Sequence, residues 1–121
     1  MSSPHILVVD DEPDIRNLLK EILEDEGFEL SVAENASEAR DARRHRRPDL
    51  ILLDIWMPDT DGISLLKEWS DEGQMDIPVI MMSGHGTVET AVEATRLGAY
   101  DFIEKPFDSE LLIFKISGKT F

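Results

Sequence analysis

His5-Ile6-Leu7-Val8-Val9-Asp10-Asp11-Glu12-Pro13 sets the pattern that the rest of the chain repeats. Its first five residues form a short, nearly continuous apolar run, as a strand buried on both faces of a parallel sheet requires. The run ends abruptly on two adjacent carboxylates. Pro13 follows at a natural first helical position, where its missing N–H costs the helix nothing. Ile15, Leu18, Leu19, Ile22 and Leu23 then recur at helical spacing, and Gly27 suits the helix exit.

The same alternation continues. Phe28, Leu30 and Val32 alternate with Glu29 and Ser31, which predicts an edge strand. Asn35 can cap a second helix, with Glu38 placed to complete a capping box. That helix is weakly apolar and ends near Pro48. Leu50-Ile51-Leu52-Leu53 is a third strand. The turn Asp59-Thr60-Asp61-Gly62 leads to a third helix with Leu65, Leu66 and Trp69 inside. Val79-Ile80-Met81-Met82 is a fourth strand. Thr87 can cap a fourth helix with Val88, Ala91 and Val92 inside and Gly98 at its end. Tyr100 to Ile103 makes a fifth strand, and a fifth helix should begin after Asp108 with Leu111, Leu112 and Ile113. Ile116-Ser117-Gly118-Lys119-Thr120-Phe121 shows no clear helical face. The expectation is one domain over residues 4–116 and an irregular end, truncated or altered, over residues 117–121. Five β/α units predict a doubly wound α/β fold with right-handed crossovers.

Composition narrows the function. The 121 residues suit one domain, and 41% hydrophobic content suffices for one core. With no cysteine, disulfides, thiolate metal sites and cysteine nucleophiles are excluded. The cysteine-free composition fits a cytoplasmic setting. The N-terminus carries no Lys or Arg and does not read as a signal peptide, and no apolar run reaches the ~20 residues of a bilayer span. A formal net charge of −14 argues against nucleic acid or anionic membrane as a partner. Arg40, Arg43, Arg44, Arg46 and Arg47 form a local exception, read as the solvated end of a helix or a docking patch for an acidic partner.

In open parallel sheets, ligands bind beyond the carboxyl ends of the strands. Here those ends carry Asp10 and Asp11 after strand one, Asp54 at the end of strand three, Ser83 and Gly84 after strand four, and Lys105 and Pro106 after strand five. Acids before a helix often serve only its dipole. Asp54, closing an apolar run, is harder to dismiss, because an unpaired buried charge is costly. Three converging carboxylates repel by about 4 kcal/mol per close pair at an effective dielectric of 20. Lys105 alone leaves the site negative. A hard divalent cation with oxygen ligands offsets the rest, which favours magnesium, with manganese as a substitute. A carboxylate beside such a cation can attack phosphorus and form an acyl phosphate. Ser83, the Gly84 backbone N–H and Lys105 can receive the phosphoryl oxygens.

Val8-Val9-Asp10-Asp11-Glu12, Asp54-Ile55-Trp56-Met57-Pro58, Asp61-Gly62, Ser83-Gly84 and Lys105-Pro106 together resemble the response-regulator receiver family of two-component systems, over residues 5–107. The resemblance implies a flavodoxin-like (CheY-like) five-stranded parallel sheet of order 2-1-3-4-5. It implies Asp54 as phosphoacceptor, magnesium held by Asp10, Asp11, Asp54 and the Trp56 carbonyl, and phosphoryl contacts from Ser83, Gly84 and Lys105. It also implies a cis bond before Pro106 and a switch through Ser83 and Phe102 that remodels the face of helix four, strand five and helix five. Trp56 and His85 fall at variable rim positions. Residues 83–92 and 98–107 look like the nitrogen-regulation subgroup of NtrC and NtrX type. That subgroup implies a sensor histidine kinase as phosphodonor, output ATPase and DNA-binding domains in a longer parent protein, and a possible homodimer through the switching face. A haloacid-dehalogenase-like phosphohydrolase would share Asp54, the metal, Ser83 and Lys105. It normally carries a second acid where this chain has Trp56. A degenerate receiver used as a binding module would lack part of this set.

Overall fold

A computed structural model describes residues 3–57, 59–74, 76–84, 88–105 and 108–120, without the side chains of residues 88, 119 and 120. Five strands and five helices alternate: β1 His5–Val9, α1 Pro13–Asp25, β2 Glu29–Ala33, α2 Ala36–His45, β3 Leu50–Asp54, α3 Gly62–Asp71, β4 Val79–Ser83, α4 Val88–Arg96, β5 Asp101–Glu104 and α5 Ser109–Thr120. The strands form one sheet in the order β2-β1-β3-β4-β5, with each neighbouring pair parallel. This is the expected flavodoxin-like order. The chain reverses direction across the sheet between β1 and β3, which opens a crevice at their carboxyl ends.

Alternation along each strand divides the core between the two faces of the sheet. Leu7, Val9, Ile51, Leu53, Val79 and Met81 pack with Ala36, Ala39, Leu65, Leu66, Trp69 and Ala94, so α2, α3 and α4 cover one face. Ile6, Val8, Leu50, Leu52, Ile80 and Met82 pack with Leu19, Leu23, Leu112 and Ile116, so α1 and α5 cover the other. β1, β3 and β4 are buried along their whole length. β2 lies at the edge and is only partly covered.

Several local signals act as expected. Pro13 opens α1, and Gly27 closes it with φ +89°, where an L side chain would be strained. The Glu38 N–H donates to Asn35 Oδ1 at 2.8 Å. Glu38 Oε1 accepts instead from the Glu34 N–H, one residue before the cap, so the box closes a residue early. Two expectations are corrected. Val92 is exposed, and Ala94 takes the buried position on α4 with Ala91 half-buried beside it. The irregular end expected from residue 117 is also corrected over residues 117–120, because α5 runs through Gly118 to Thr120. An interior glycine costs a helix about 1 kcal/mol, less than burying Ile116 returns. Ile116 lies four residues after buried Leu112, so one stripe continues where composition alone suggested a break. Thr87 and Phe121 lie outside the described residues. Among the described residues, no helix is long and apolar enough to cross a membrane.

Candidate phosphoacceptor site

Among the described residues, three polar side chains are buried at the carboxyl end of the sheet: Asp10, Asp54 and Ser83. Asp10 directly follows β1, Asp54 closes β3 and Ser83 closes β4. The strands that carry them are fixed by backbone pairing, with Asp54 opposite Met82 and Ser83 opposite Glu104. The Lys105 N–H donates to the Ser83 carbonyl at 2.9 Å, which ties the residue after β5 to the end of β4. Gly84 lies beside Lys105: a Cβ there would stand 4.0 Å from Lys105 Cβ.

Lys105 Nζ is the electrostatic hub. It stands 2.7 Å from Asp10 Oδ2, 3.4 Å from Asp54 Oδ1 and 3.5 Å from Glu12 Oε1. Asp10 Oδ2 is close enough for an ion pair but lacks an aligned hydrogen-bond donor, whereas Asp10 Oδ1 accepts from the Glu12 N–H at 2.9 Å. Burial, and then the neighbouring charge of Asp10, push the Asp54 carboxyl up to about 7, against the opposing pull of Lys105. Burial likewise raises Asp10, opposed by the Lys105 ammonium beside it. Burial would lower Lys105, but Asp10, Asp54 and Glu12 together hold its ammonium above the usual range. One ammonium therefore serves three carboxylates, and Asp54 resists ionising under those conditions.

The donor set fits a hard cation. Carboxylate oxygens of Asp10, Asp11 and Glu12 lie within 4.8 Å of one another, with Asp10 buried and the other two exposed. Asp10 Oδ2 is a buried oxygen without an aligned donor, and the chain has no cysteine to supply a thiolate ligand. An all-oxygen cluster of this kind suits magnesium or manganese. Glu12 was missed as a member although it adjoins Asp11 in sequence, and its contact with Lys105, 3.5 Å away, depends on how β5 packs beside β4.

The turn from β3 to α3 is held tightly against the site. The Ile55 N–H donates to the Met82 carbonyl at 3.0 Å, and the Gly62 N–H to the Ile55 carbonyl at 2.6 Å. A Cβ at position 62 would fall 2.0 Å from the Asp54 carbonyl oxygen, so this close approach demands glycine. Asp61 caps α3, accepting from the Ser64 N–H at 2.8 Å and hydroxyl at 3.1 Å. Trp56 stands at the rim and is 57% exposed. Phe102 is half-buried and packs against the core beneath α3 and α4, opposite Met81. The expectations for His85, Pro58 and the bond before Pro106 concern residues outside those described.

The arginines of α2 and of the two residues after it do not form a free basic patch. Arg40 makes a two-pronged pair with Glu68, with bonds of 2.7 and 2.9 Å. Arg43 lies over the Trp69 ring at 4.9 Å and pairs with Asp76 and the Gln74 carbonyl. Arg47 pairs with Asp76, Arg44 with Asp41 and Arg46 with Glu29. Arg40, Arg43, Arg44 and Arg47 line a cleft of about 650 Å³ between α2 and α3.

Comparison with known proteins agrees with this geometry. The family model for the response regulator receiver domain matches residues 6–117. The nitrogen assimilation regulatory protein NtrX of Azorhizobium caulinodans is 51% identical over 110 residues, covering 89% of this chain and 24% of that protein. A putative NtrX-like response regulator of Rickettsia bellii is 44% identical over 115 residues, covering 93% and 24%. The chain thus spans about a quarter of the length of these relatives. The crystal structure of the NtrX receiver domain from Brucella abortus superposes with a TM-score of 0.87 at 50% identity, covering 95% of this chain and 97% of that one. The chemotaxis protein CheY4 of Vibrio cholerae superposes at 0.89 with 27% identity, covering 98% and 99%. The chain belongs to the response regulator receiver domain family, and it is a receiver domain of a two-component response regulator.

Proposed function

We propose that this receiver takes a phosphoryl group from the phosphohistidine of a sensor histidine kinase onto Asp54, with magnesium, or manganese in its place, held at Asp10, Asp11, Asp54 and the Trp56 carbonyl. The observation that carries this is the buried Asp54 carboxyl, pushed up to about 7 beside Asp10 and facing a Lys105 already shared with other acids. Bound magnesium would supply the missing positive charge and draw phosphoryl oxygens toward the carboxylates. Asp54 then loses its proton, and its oxygen attacks phosphorus as the P–N bond of the donor breaks. Lys105 leaves Asp10 and turns to a phosphoryl oxygen, while the Ser83 hydroxyl and Gly84 N–H donate to the others. Removal of the group uses water on the same acyl phosphate, so the domain's chemistry is confined to itself.

Occupancy of Asp54 biases a pre-existing equilibrium through these new contacts. Ser83 moves toward the phosphoryl group and Phe102 turns inward, which remodels the α4-β5-α5 face. That face is tied by a 2.7 Å ion pair between Lys115 and Asp101 and exposes Val92 and Tyr100, surface on which a homodimer could form. The NtrX resemblance supports a cytoplasmic parent protein with output ATPase and DNA-binding domains that controls transcription. The test is incubation with acetyl phosphate and magnesium followed by intact-mass measurement. One added phosphoryl group is expected for the wild type and none for Asp54→Asn. Equal modification of Asp54→Asn would remove the assignment.

A further inference from the structure

The β3–α3 turn contains an acid with no place in the chemistry above. Asp59 reaches out of its own turn to the start of α2. Its Oδ1 accepts from the Ala36 N–H at 3.0 Å and its Oδ2 from the Ser37 N–H at 3.2 Å, while the Thr60 N–H also donates to Oδ1 at 2.8 Å. Ala36 and Ser37 are the first residues of α2, whose N–H groups have no partner inside the helix. The same helix already has a local cap in Asn35. Asp59 therefore adds a second, long-range tie, made across 22 and 23 residues of chain. Its carboxyl lies below the ordinary range, because the donated N–H bonds outweigh the opposing effect of burial.

The other side of the site is tied to the same place. Arg16 Nη1 donates to the Asp10 carbonyl at 2.7 Å, and Nη2 stands 3.8 Å from Glu34 Oε2. The Asp10 N–H donates to the Ala33 carbonyl at 3.0 Å. Residues 33–37, from the last residue of β2 to the first turn of α2, are thus gripped from one side by the turn carrying Asp10 and Asp11, and from the other by the turn carrying Trp56. This segment has no chemistry of its own and joins two ligand-bearing turns that are distant in sequence.

We propose that Asp59 is a positioning residue for the cation site: by bonding the Ala36 and Ser37 N–H groups it sets the turn that carries Trp56 against the turn that carries Asp10 and Asp11. The proposal rests on the magnesium site described under the proposed function. Groups that hydrogen-bond a metal ligand directly typically cost 10–100-fold in metal affinity when removed, and Asp59, acting one step further out, belongs at the lower end of that range. A plain helix cap would behave otherwise, because its loss lowers stability without reaching the metal.

Magnesium titration followed by backbone amide NMR shifts separates these outcomes, alongside the metal-free melting midpoint. Asp59→Ala is expected to weaken magnesium binding about tenfold. Asp59→Asn, which keeps one acceptor oxygen for the Ala36 N–H, should recover most of the affinity. Asn35→Ala removes the other cap of α2 and should lower the melting midpoint, with magnesium affinity within about twofold of the wild type. Wild-type affinity in Asp59→Ala, or an equal loss in Asn35→Ala, would overturn the positioning role while leaving the site intact. No recovery in Asp59→Asn would also overturn it, since charge rather than the hydrogen-bonded tie would then be at work. A wild type that binds no magnesium at millimolar concentration would overturn the site and the proposal together.

Discussion

The two ends of the sheet are both crowded with charge, and they differ in how that charge is balanced. At the amino ends of the strands, in and around α2, each of Arg40, Arg43, Arg44, Arg46 and Arg47 has a carboxylate partner. At the carboxyl ends, Lys105 is divided among Asp10, Glu12 and Asp54. The amino end also has the wide cleft of about 650 Å³. A cleft rich in charge is therefore not by itself the mark of the site. Uncompensated charge on buried groups selects the carboxyl end: Asp54 is 2% exposed and Asp10 fully buried, whereas Asp41 and Arg44 stand in water. Exposed pairs contribute little and need no ligand. Buried acids short of positive charge need a cation or a proton, and that need is what a switch can use.

The contrast breaks most visibly at Lys105. Lys105→Ala should slow phosphoryl incorporation from acetyl phosphate by about 100-fold or more, as expected for loss of a charged donor to the reacting oxygens. Rapid-quench measurement of the phosphorylated fraction checks this, and a wild-type rate would place Lys105 among structural groups. A second difference lies in pH. The Asp54 carboxyl is raised from 3.8 to about 7, so the folded, metal-free protein holds this proton more tightly than the unfolded chain. Its contribution to stability is full below pH 3.8 and is lost as pH rises through about 7. Metal-free wild type should therefore lose stability relative to Asp54→Asn across that window, by a few kcal/mol at most. Chemical denaturation at several pH values gives the two profiles, and parallel profiles would show that Asp54 is not short of compensation.

The amino end should respond weakly and without consequence for the chemistry. Arg43→Ala removes a stacked and paired side chain that is 11% exposed, and should cost about 1–2 kcal/mol with an unchanged phosphorylation rate. Arg44→Ala breaks an exposed pair and should leave the urea midpoint where it was. A large loss in Arg44→Ala would mean that the balanced end is more strained than its pairing suggests.

The same contrast explains what could be read from the sequence. Buried parallel strands are continuous apolar runs, so β1, β3 and β4 were legible, and with them the acids and serine at their ends. The element order followed from alternation, and the site followed from asking what each strand end carries. Side-chain facing on short helices was less legible. Period fixes a stripe, but the α4 stripe centres on Ala94 because small residues let that helix sit close to the sheet, leaving the larger Val92 outside. The continuation of α5 past Gly118 depends on Ile116 finding the core of the opposite face. Contacts across long separations carried no local signal at all. Arg43 on Trp69, Glu12 opposite Lys105 and Asp59 on Ala36 each depend on how whole elements pack.

The most direct test of the charge-deficient end is the location of the phosphoryl group itself. Protein treated with acetyl phosphate and magnesium, reduced with borohydride to convert the acyl phosphate to homoserine, and digested for peptide mass mapping should carry the conversion at Asp54 alone. Conversion at Asp10 or Asp11 instead would contradict the assignment, because it would mean that the buried acid at the end of β3 is not the nucleophile.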